Sequence, residues 1–234
     1  MRLDRFLRSS GIGTRKEVKQ YIKDKRILIN NQIAKDPGMS INEYSDEIKV
    51  DGEIVTYHLY HYILLHKPKG YVSATEPEKN YPPVTDLVSE YSFASLFPVG
   101  RLDVDTTGLL LLTNDGKLAH KLLSPKYHVD KKYIVEVDYP LKEEIIPSFE
   151  SGIILDGELT LPCKLKIIDS HKAEVILHEG KYHQVKRMFA HFGYKVISLH
   201  RSEFAFLSLN GLNEGEYRPL TSQEIEFLKE QGTK

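Results

Sequence analysis

The sequence has few of the features that mark membrane, secreted or disulfide-bonded proteins. It contains no run of about eighteen apolar residues and no basic n-region followed by the apolar h-region of a signal peptide, so we expect neither a membrane span nor a secretory signal. It has one cysteine, Cys163, which alone can form neither an internal disulfide nor a cysteine-based zinc site. The sequence therefore predicts a cytoplasmic protein with no membrane partner.

Internal repeats, low-complexity tracts and glycine-rich phosphate loops are also missing. What remains is ordinary for a globular protein, with 234 residues of which 41% are hydrophobic and 28% are charged. A chain of this length can form one large domain or a large and a small one.

Net charge is also small, at −1, but the charge is unevenly distributed. Residues 1–35 hold ten basic and three acidic side chains, a surplus of seven positive charges, and the remaining residues carry a net charge of −8. A basic module on a mildly acidic body is typical of proteins that bind polyanions. A solvated helical face would give the same charge pattern, so charge alone leaves both interpretations open.

The first 58 residues predict a small unit of two helices and two hairpins. Leu3, Phe6 and Leu7 share one face of a helical turn, and Thr14 to Glu17 has the spacing of a capping box that begins a second helix. Hairpins are predicted around Asn30-Asn31 and around Asp51-Gly52, because these dipeptides tolerate positive φ.

The centre of the chain combines a polar loop with an apolar strand. The loop is Gly100-Arg101-Leu102-Asp103-Val104-Asp105-Thr106-Thr107-Gly108, and the apolar run 109–112 that follows it predicts a buried strand. A loop at the mouth of a buried strand is a common location for catalytic side chains. Two loop carboxylates could equally form a solvated turn or a weak cation site.

Residues 100–116 resemble the catalytic motif of the RNA pseudouridine synthases, in the RsuA/RluB/E/F group that includes the small-ribosomal-subunit enzymes. The resemblance implies that Asp103 is the essential residue. Lys131-Lys132-Tyr133 is similar to the second motif of the family, and 179–189 to the third. By this resemblance Tyr133 is the active-site tyrosine, Lys186 pairs with the aspartate, and Arg101 fills the gap left by a flipped nucleotide. As an alternative, Tyr133 is a tyrosine at the edge of the core.

The opening segment 1–7 and the helix-helix-strand pattern resemble the S4 RNA-binding domain, over residues 1 to about 58. Such a domain implies RNA binding and no chemistry. The basic residues that we expect to contact RNA are Arg2, Arg5, Arg15, Lys16, Lys19, Lys23 and Arg26.

The predicted fold class is α+β, with an S4 domain at 1–58 and a pseudouridine synthase domain at 59–234 that contains a largely antiparallel mixed sheet. Within the second domain, 63–73 predicts a strand, a tight turn and a second strand. At most one short helix is expected near 84–88, because prolines interrupt the region. A helix is predicted at 141–149, and strands at 160–168 and 173–178.

The implied reaction breaks the glycosidic C–N bond of a uridine, turns the base and rejoins it through carbon. A carboxylate suits this reaction because it can attack or stabilise an electron-poor sugar carbon. Asp103 would act either by adding to the sugar or by removing its 2′ proton. We interpret Asp105 as structural, and we expect no cofactor and no metal.

The third motif and Thr106-Thr107 resemble those of the 16S-directed enzyme, which by family usage modifies uridine 516. We therefore expect 16S rRNA, in a partly assembled small subunit, as the partner of a monomeric enzyme. Three alternatives stay open: a sibling that acts on 23S rRNA, a non-catalytic RNA-binding assembly factor, and a hydrolase that uses Asp103 and Asp105 as a metal pair.

Overall fold

The computed structural model describes residues 1–231, and these residues form two compact units. The first unit consists of Met1–His61 and Ser89–Leu96. The second consists of Tyr62–Val88 and the chain from Phe97 onward.

The first unit begins with the two predicted helices, α1 (Leu3–Ser9) and α2 (Arg15–Lys23). The capping box that begins α2 is complete: the Glu17 backbone N–H donates to Thr14 Oγ1 at 3.4 Å, and the Thr14 N–H donates to Glu17 Oε2 at 2.7 Å. These bonds satisfy two of the amide groups that a helix start leaves unpaired.

A four-stranded antiparallel sheet completes the first unit, in the order β2-β1-β3-β4. Its strands are β1 (Ile27–Ile29), β2 (Gln32–Ile33), β3 (Ile48–Val50) and β4 (Glu53–Ile54). Both predicted hairpins are confirmed, and their turn residues have positive φ: 49° and 65° at Asn30 and Asn31, 52° and 87° at Asp51 and Gly52. The apolar faces of the helices and sheet form one core, with Leu3, Phe6, Leu7, Val18, Ile22, Ile27 and Ile48 buried.

The second unit contains eleven strands among its described residues. They are β5 (Tyr62–Lys67), β6 (Phe97–Pro98), β7 (Thr107–Thr113), β8 (Lys131–Val137), β9 (Ile154–Leu155), β10 (Glu158–Leu159), β11 (Lys164–Ile167), β12 (Lys172–Leu177), β13 (Val196–Phe204), β14 (Leu207–Ser208) and β15 (Tyr217–Pro219).

Nine of these strands form one sheet, and β9 and β10 form a separate hairpin. The main order is β11-β12-β8-β13-β7-β5-β15, with β14 paired to β13 and β6 paired to β7. All the pairs are antiparallel except β13 with β7, which are parallel. The predicted α+β class with a largely antiparallel mixed sheet is confirmed.

The parallel contact between β7 and β13 requires a glycine. Gly108 has a φ of +114°, and a Cβ added there would lie 2.3 Å from the carbonyl oxygen of Arg201. No side chain fits at that distance, so Gly108 allows β7 to approach β13 directly after the polar loop. All seven residues of β7 are buried, which fixes the end of the loop in the middle of the sheet.

Helices cover the sheet and complete the second unit: α3 (Gly116–Leu123), α4 (Ile146–Ser151), α5 (Gln184–His191) and α6 (Ser222–Gln231). Asp115 begins α3, because its Oδ1 accepts from the Leu118 N–H at 3.0 Å, and its Oδ2 accepts from the Tyr62 hydroxyl at 2.8 Å. Leu122 of α3 and Leu228 of α6 are fully buried in the same core cluster as the apolar residues of β5 and β7. Among residues 1–231, no helix is both long enough and apolar enough to cross a membrane.

Two predictions between Tyr62 and Val99 were wrong. The strand expected after the turn at Gly70 is absent, and Val72 makes a single isolated bridge to Pro83. The chain leaves the sheet here because Ser73 bonds to the central loop instead. In place of one short helix, 3₁₀ turns extend over Val84–Ala94 with a non-helical kink at Val88.

Element bounds also differ between Leu141 and Ile168. The predicted helix at 141–149 begins with a 3₁₀ turn, Glu143–Ile145, and continues as α4, where Pro147 fits the first turn because no amide donor is needed there. The predicted strand at 160–168 is shorter, Lys164–Ile167, because Pro162 lacks an N–H and Thr160 bonds back to Ile153.

Candidate active site

The central loop between Gly100 and Thr107 places Asp103 just before the start of β7. The Thr106 N–H donates to the carbonyl oxygen of Asp103 at 3.1 Å, which closes a tight turn just before the strand begins. The Asp103 side chain is 25% exposed and that of Asp105 is 70% exposed. The loop therefore places one sheltered and one solvated carboxylate at the same strand end.

Lys67, at the end of β5, holds this loop from the protein interior. Its side chain is fully buried, and its Nζ donates to the carbonyl oxygens of Pro68, Asp103 and Thr106 at 3.0, 3.1 and 2.9 Å. Burial lowers the pKa of Lys67 to about 8, although the carboxylates of Asp105 and Asp103 act in the opposite direction. A buried ammonium needs such acceptors, and here they all come from the central loop and the adjoining turn.

Two further contacts fix the loop along its length. The Ser73 hydroxyl donates to the Leu102 carbonyl and accepts from the Leu102 N–H, each at 2.9 Å. The Gly70 N–H donates to the Val104 carbonyl at 2.8 Å. The residues on both sides of Asp103 are thus bonded to the segment that follows β5, so the position of its carboxylate is set by the fold.

Lys186, on α5, forms ion pairs with both loop carboxylates. Its Nζ lies 2.8 Å from Asp103 Oδ2 and 2.6 Å from Asp105 Oδ1. Burial opposes the charge of Lys186, but its bonds to Asp103 and Asp105 outweigh burial and hold its pKa above the ordinary value. Desolvation likewise acts to raise the pKa of Asp105, but the bond to Lys186 outweighs it and leaves that pKa low. The Asp105 side chain thus shares the Lys186 ammonium with Asp103.

The position of Lys186 argues against a metal site at these carboxylates. Its ammonium lies within 3 Å of an oxygen of both aspartates, where a shared metal ion would have to bind. Within the described part of the chain, no three histidine, cysteine or carboxylate side chains cluster as potential ligands. The chemistry that the arrangement supports is that of a carboxylate oriented by a cation.

A cavity of about 740 Å³ opens beside Asp103, and the predicted catalytic residues Asp103, Tyr133 and Lys186 all line it. Tyr133, on β8, is only 8% exposed, so its ring forms part of the inner wall. Because strand side chains alternate, Tyr133 faces the cavity while Lys132 points to the opposite face and pairs with Glu203 at 3.0 Å. A planar base that enters the cavity would meet an aromatic ring and a carboxylate together.

Arg101 also lines the cavity, but its side chain is 61% exposed. Its guanidinium makes two hydrogen bonds to Glu78, at 3.0 and 2.6 Å.

The seven basic residues predicted to bind RNA lie in the first unit and are all exposed. Among them, Arg2 pairs with Asp4 at 3.0 Å, and Arg26 bonds to Asp51 at 2.8 Å while its guanidinium stacks 4.1 Å from the Tyr21 ring.

Sequence reasoning missed several residues at the site. Lys67 was recognisable as a charged residue that closely follows the apolar run 62–65 and precedes Pro68. Lys131 and Arg201 also line the cavity and are only 5% and 2% exposed, and burial lowers the pKa of Lys131 to about 8. His183, the residue just before α5, lies with its Nε2 3.5 Å from Asp103 Oδ1, a contact that no sequence pattern indicated.

Two family models match the chain. The model of the family described as RNA pseudouridylate synthase matches residues 61–191, which include the central loop, Tyr133 and Lys186. The model of the S4 domain matches residues 1–43, which include α1, α2 and the first hairpin.

Relatives extend the match over the whole chain. The sequence is 40% identical to ribosomal small subunit pseudouridine synthase A of Haemophilus influenzae, over 97% of this chain and 99% of the relative. It is 38% identical to ribosomal large subunit pseudouridine synthase B of Bacillus subtilis, over 97% and 95%. A crystal structure described as a pseudouridylate synthase has 40% identity and a TM-score of 0.68, covering 97% of this chain and 99% of that one. The chain belongs to the RNA pseudouridylate synthase family, and it carries an S4 domain at its N-terminus.

Proposed function

We propose that this protein converts a uridine of ribosomal RNA to pseudouridine, with Asp103 as the essential carboxylate. The observation that carries the proposal is the position of Asp103, whose carboxylate is 25% exposed and bonded to Lys186 at 2.8 Å. Tyr133 lines the same cavity beside it. Family membership fixes the class of reaction, and this geometry supplies the groups that the reaction needs.

The reaction consists of bond exchange within one nucleotide. The C1′–N1 bond breaks, the base turns, C5 bonds to C1′, and the proton that C5 loses is replaced by one at N1. The Asp103 carboxylate assists by adding to the sugar or by removing its 2′ proton, and either role requires the ionised form. Lys186 places an opposite charge 2.8 Å from that carboxylate and orients it through a charge-assisted hydrogen bond.

Tyr133 and Arg101 are proposed to handle the base and the RNA helix. The ring of Tyr133 stacks on the uracil, and its hydroxyl helps to move the proton from C5. A stacked base must leave its stack before its sugar can be reached. Arg101, exposed at the edge of the cavity, is proposed to fill the gap that the flipped nucleotide leaves, which requires release of Glu78.

We propose that RNA binding and catalysis are carried out by different parts of the chain. We assign RNA binding to residues 1–58 and catalysis to residues 59–234, in a monomer that acts in the cytoplasm. The seven exposed basic residues of the first unit contact phosphates, which provides affinity without sequence readout. Neither a cofactor nor a metal ion takes part in the proposed reaction.

The proposed target is a single uridine of 16S rRNA, presented in a partly assembled small subunit. Overall sequence identity does not distinguish a 16S target from a 23S target, because the relatives named for the small and the large ribosomal subunit are 40% and 38% identical to this chain. Support for 16S comes from the third motif, which contains Tyr182-His183-Gln184, and from Thr106-Thr107. His183 and Thr106 adjoin Asp103, so these residues border the reaction site.

The test is a map of rRNA pseudouridines in cells that lack the gene, compared with the same cells complemented by the wild type or by Asp103→Asn. We expect one 16S position to lose pseudouridine and to regain it only with the wild-type gene. Loss of a 23S position with every 16S position intact would refute the 16S target. An unchanged map would refute the function.

A further inference from the structure

Tyr182 is a solvent-exposed aromatic residue whose ring is stacked on a neighbouring ring. Tyr182 is 76% exposed, so its side chain is not part of the core. Its ring stacks on the His183 ring, with the centroids 3.8 Å apart and the planes 20° from parallel. One face of the Tyr182 ring is therefore occupied by His183, and the other face is open to solvent.

The backbone beneath the two rings is held by buried groups. The Lys181 N–H donates to Gln184 Oε1 at 2.9 Å, and Gln184, itself buried, donates from Nε2 to Glu179 Oε1 at 2.7 Å. Arg187 Nη1 donates to the Tyr182 carbonyl at 3.2 Å. A ring on such a turn loses little conformational entropy when a ligand stacks on it.

His183 connects this stack to the reacting carboxylate. It has a φ of 47°, the left-handed conformation, and its Nε2 lies 3.5 Å from Asp103 Oδ1. Both rings line the cavity that also contains Asp103 and Tyr133. The order is thus a carboxylate, the edge of one ring, and the open face of a second ring at the solvent side.

We propose that Tyr182 and His183 form a stacking platform for an unpaired nucleobase of the substrate RNA, next to the target uridine. The inference rests on the proposed function, since it takes a flipped uridine at Asp103 and Tyr133 as its starting point. The neighbouring nucleotide in the same strand then leaves the cavity past the open face of Tyr182. Stacking on an aromatic ring tolerates any base, so the platform selects an unpaired strand and not a sequence.

The first test compares Tyr182→Ala with Tyr182→Phe on the rRNA transcript that the wild type modifies, with Tyr139→Ala as the control. Tyr139 is 65% exposed in the same unit but does not line the cavity. We expect Tyr182→Ala to raise KM about tenfold with kcat within about twofold, because one base–aromatic stack is lost. Tyr182→Phe and Tyr139→Ala should match the wild type. An unchanged KM for Tyr182→Ala would overturn the platform.

The second test identifies the base by removing it. Transcripts with an abasic site at each nucleotide that flanks the target are assayed with the wild type and Tyr182→Ala. At the stacked position, the wild type should lose the same factor of about ten, and Tyr182→Ala should lose nothing more. If the abasic site and Tyr182→Ala reduce activity by independent factors that multiply, at every position tested, the platform is overturned.

A third test does not depend on turnover. A single-stranded oligouridine that contains one 2-aminopurine is titrated with the full-length wild type and with Tyr182→Ala, and quenching of the fluorescent base reports stacking. Quenching by the wild type that Tyr182→Ala abolishes supports the platform, and equal quenching by both overturns it. If the wild type forms no pseudouridine on any rRNA transcript, the proposed function fails and this titration alone decides the platform.

Discussion

The two units of the molecule use positive charge in different ways. In the first unit, the basic residues of α1, α2 and the following turn are all exposed. In the second unit, Lys67, Lys131 and Arg201 are at most 5% exposed and lie around the central loop. Exposed charges act through water over roughly a Debye length of about 8 Å and are weakened by salt. Buried charges act on the few groups that they contact, in a fixed geometry, so the first unit suits attraction of RNA and the second suits chemistry.

Ion pairs show the same difference. The side chains of Arg26 and Asp51 are 40% and 49% exposed, whereas those of Lys186 and Asp103 are 23% and 25% exposed. An exposed pair is worth at most about 1 kcal/mol to stability. The sheltered pair matters more for geometry, because the bond to Lys186 holds the Asp103 carboxylate at a fixed position beside the cavity.

The largest effect is expected from Asp103→Asn, which keeps the shape of the side chain and removes its charge. Pseudouridine formation should fall by at least about 10⁴-fold while RNA affinity and folding are retained. Asp105→Asn is the matched control, because it contacts the same ammonium but is 70% exposed. We expect that control to cost about tenfold at most. Turnover by Asp103→Asn close to that of the control would contradict the assignment.

A smaller loss is expected from Lys186→Met, which removes the cation but leaves Asp103 in place. We expect kcat to fall about 10²- to 10³-fold, since an oriented charge-assisted hydrogen bond is lost, with little change in KM. Lys186→Arg should recover much of the rate because it keeps the charge. Lys132→Met, which breaks the ion pair with Glu203 on the opposite face of β8, serves as the control. Equal rates for the two methionine variants would show that Lys186 does not support the carboxylate.

Neutralising exposed charge in the first unit should weaken RNA binding without slowing the chemical step. The variant replaces four exposed basic residues by glutamine: Arg5, Arg15, Lys16 and Lys19. Affinity should fall about 10²-fold at moderate salt, and the slope of log K against log salt should become shallower by about 3. The control replaces four exposed lysines of the second unit: Lys142, Lys164, Lys166 and Lys172. Identical slopes for the two variants would show that the first unit does not provide the specific phosphate contacts.

The smallest effect concerns the pH dependence of stability. Burial lowers the pKa of Lys131 from 10.5 to about 8 in the folded protein. Between these two values the unfolded chain binds more protons at Lys131 than the folded chain does, so stability rises with pH across this window. Relative to Lys131→Met, the wild type should gain about 1 to 2 kcal/mol in unfolding free energy between about pH 7.5 and about pH 9.5. Denaturant unfolding at both pH values measures this, and parallel pH profiles for the two proteins would contradict it.

Local patterns were sufficient to predict much of the fold. The capping box at Thr14 and the two hairpins depend on neighbouring residues alone, so the sequence identified them correctly. The length of the 3₁₀ segment Val84–Ala94 and the lost strand after Gly70 depend on contacts with distant residues, such as Ser73 with Leu102. Those contacts have no signal in the local pattern.

The candidate site likewise contains residues that the sequence predicted and residues that it did not. Asp103, Tyr133 and Lys186 lie in three motifs that are far apart in the sequence, and the structure brings them to one cavity. The sequence did not indicate that Lys67, Lys131 and His183 lie at the site, because their positions depend on tertiary contacts. Lys67 contacts a set of loop carbonyls, Lys131 is part of a buried wall, and His183 lies beside a carboxylate. The Asp105 side chain, which we interpret as structural, bonds to Lys186 on α5, a contact that the sequence did not indicate.

The central claim, that this chain isomerises an rRNA uridine through its own side chains, has one most direct measurement. The purified full-length protein is incubated, with and without excess chelator, with a small-subunit rRNA transcript that is partly assembled with ribosomal proteins, and pseudouridines are mapped at single-nucleotide resolution. We expect one uridine to be converted nearly completely, with no added cofactor. A transcript that is bound by the protein but shows no new pseudouridine, with or without chelator, would contradict the account.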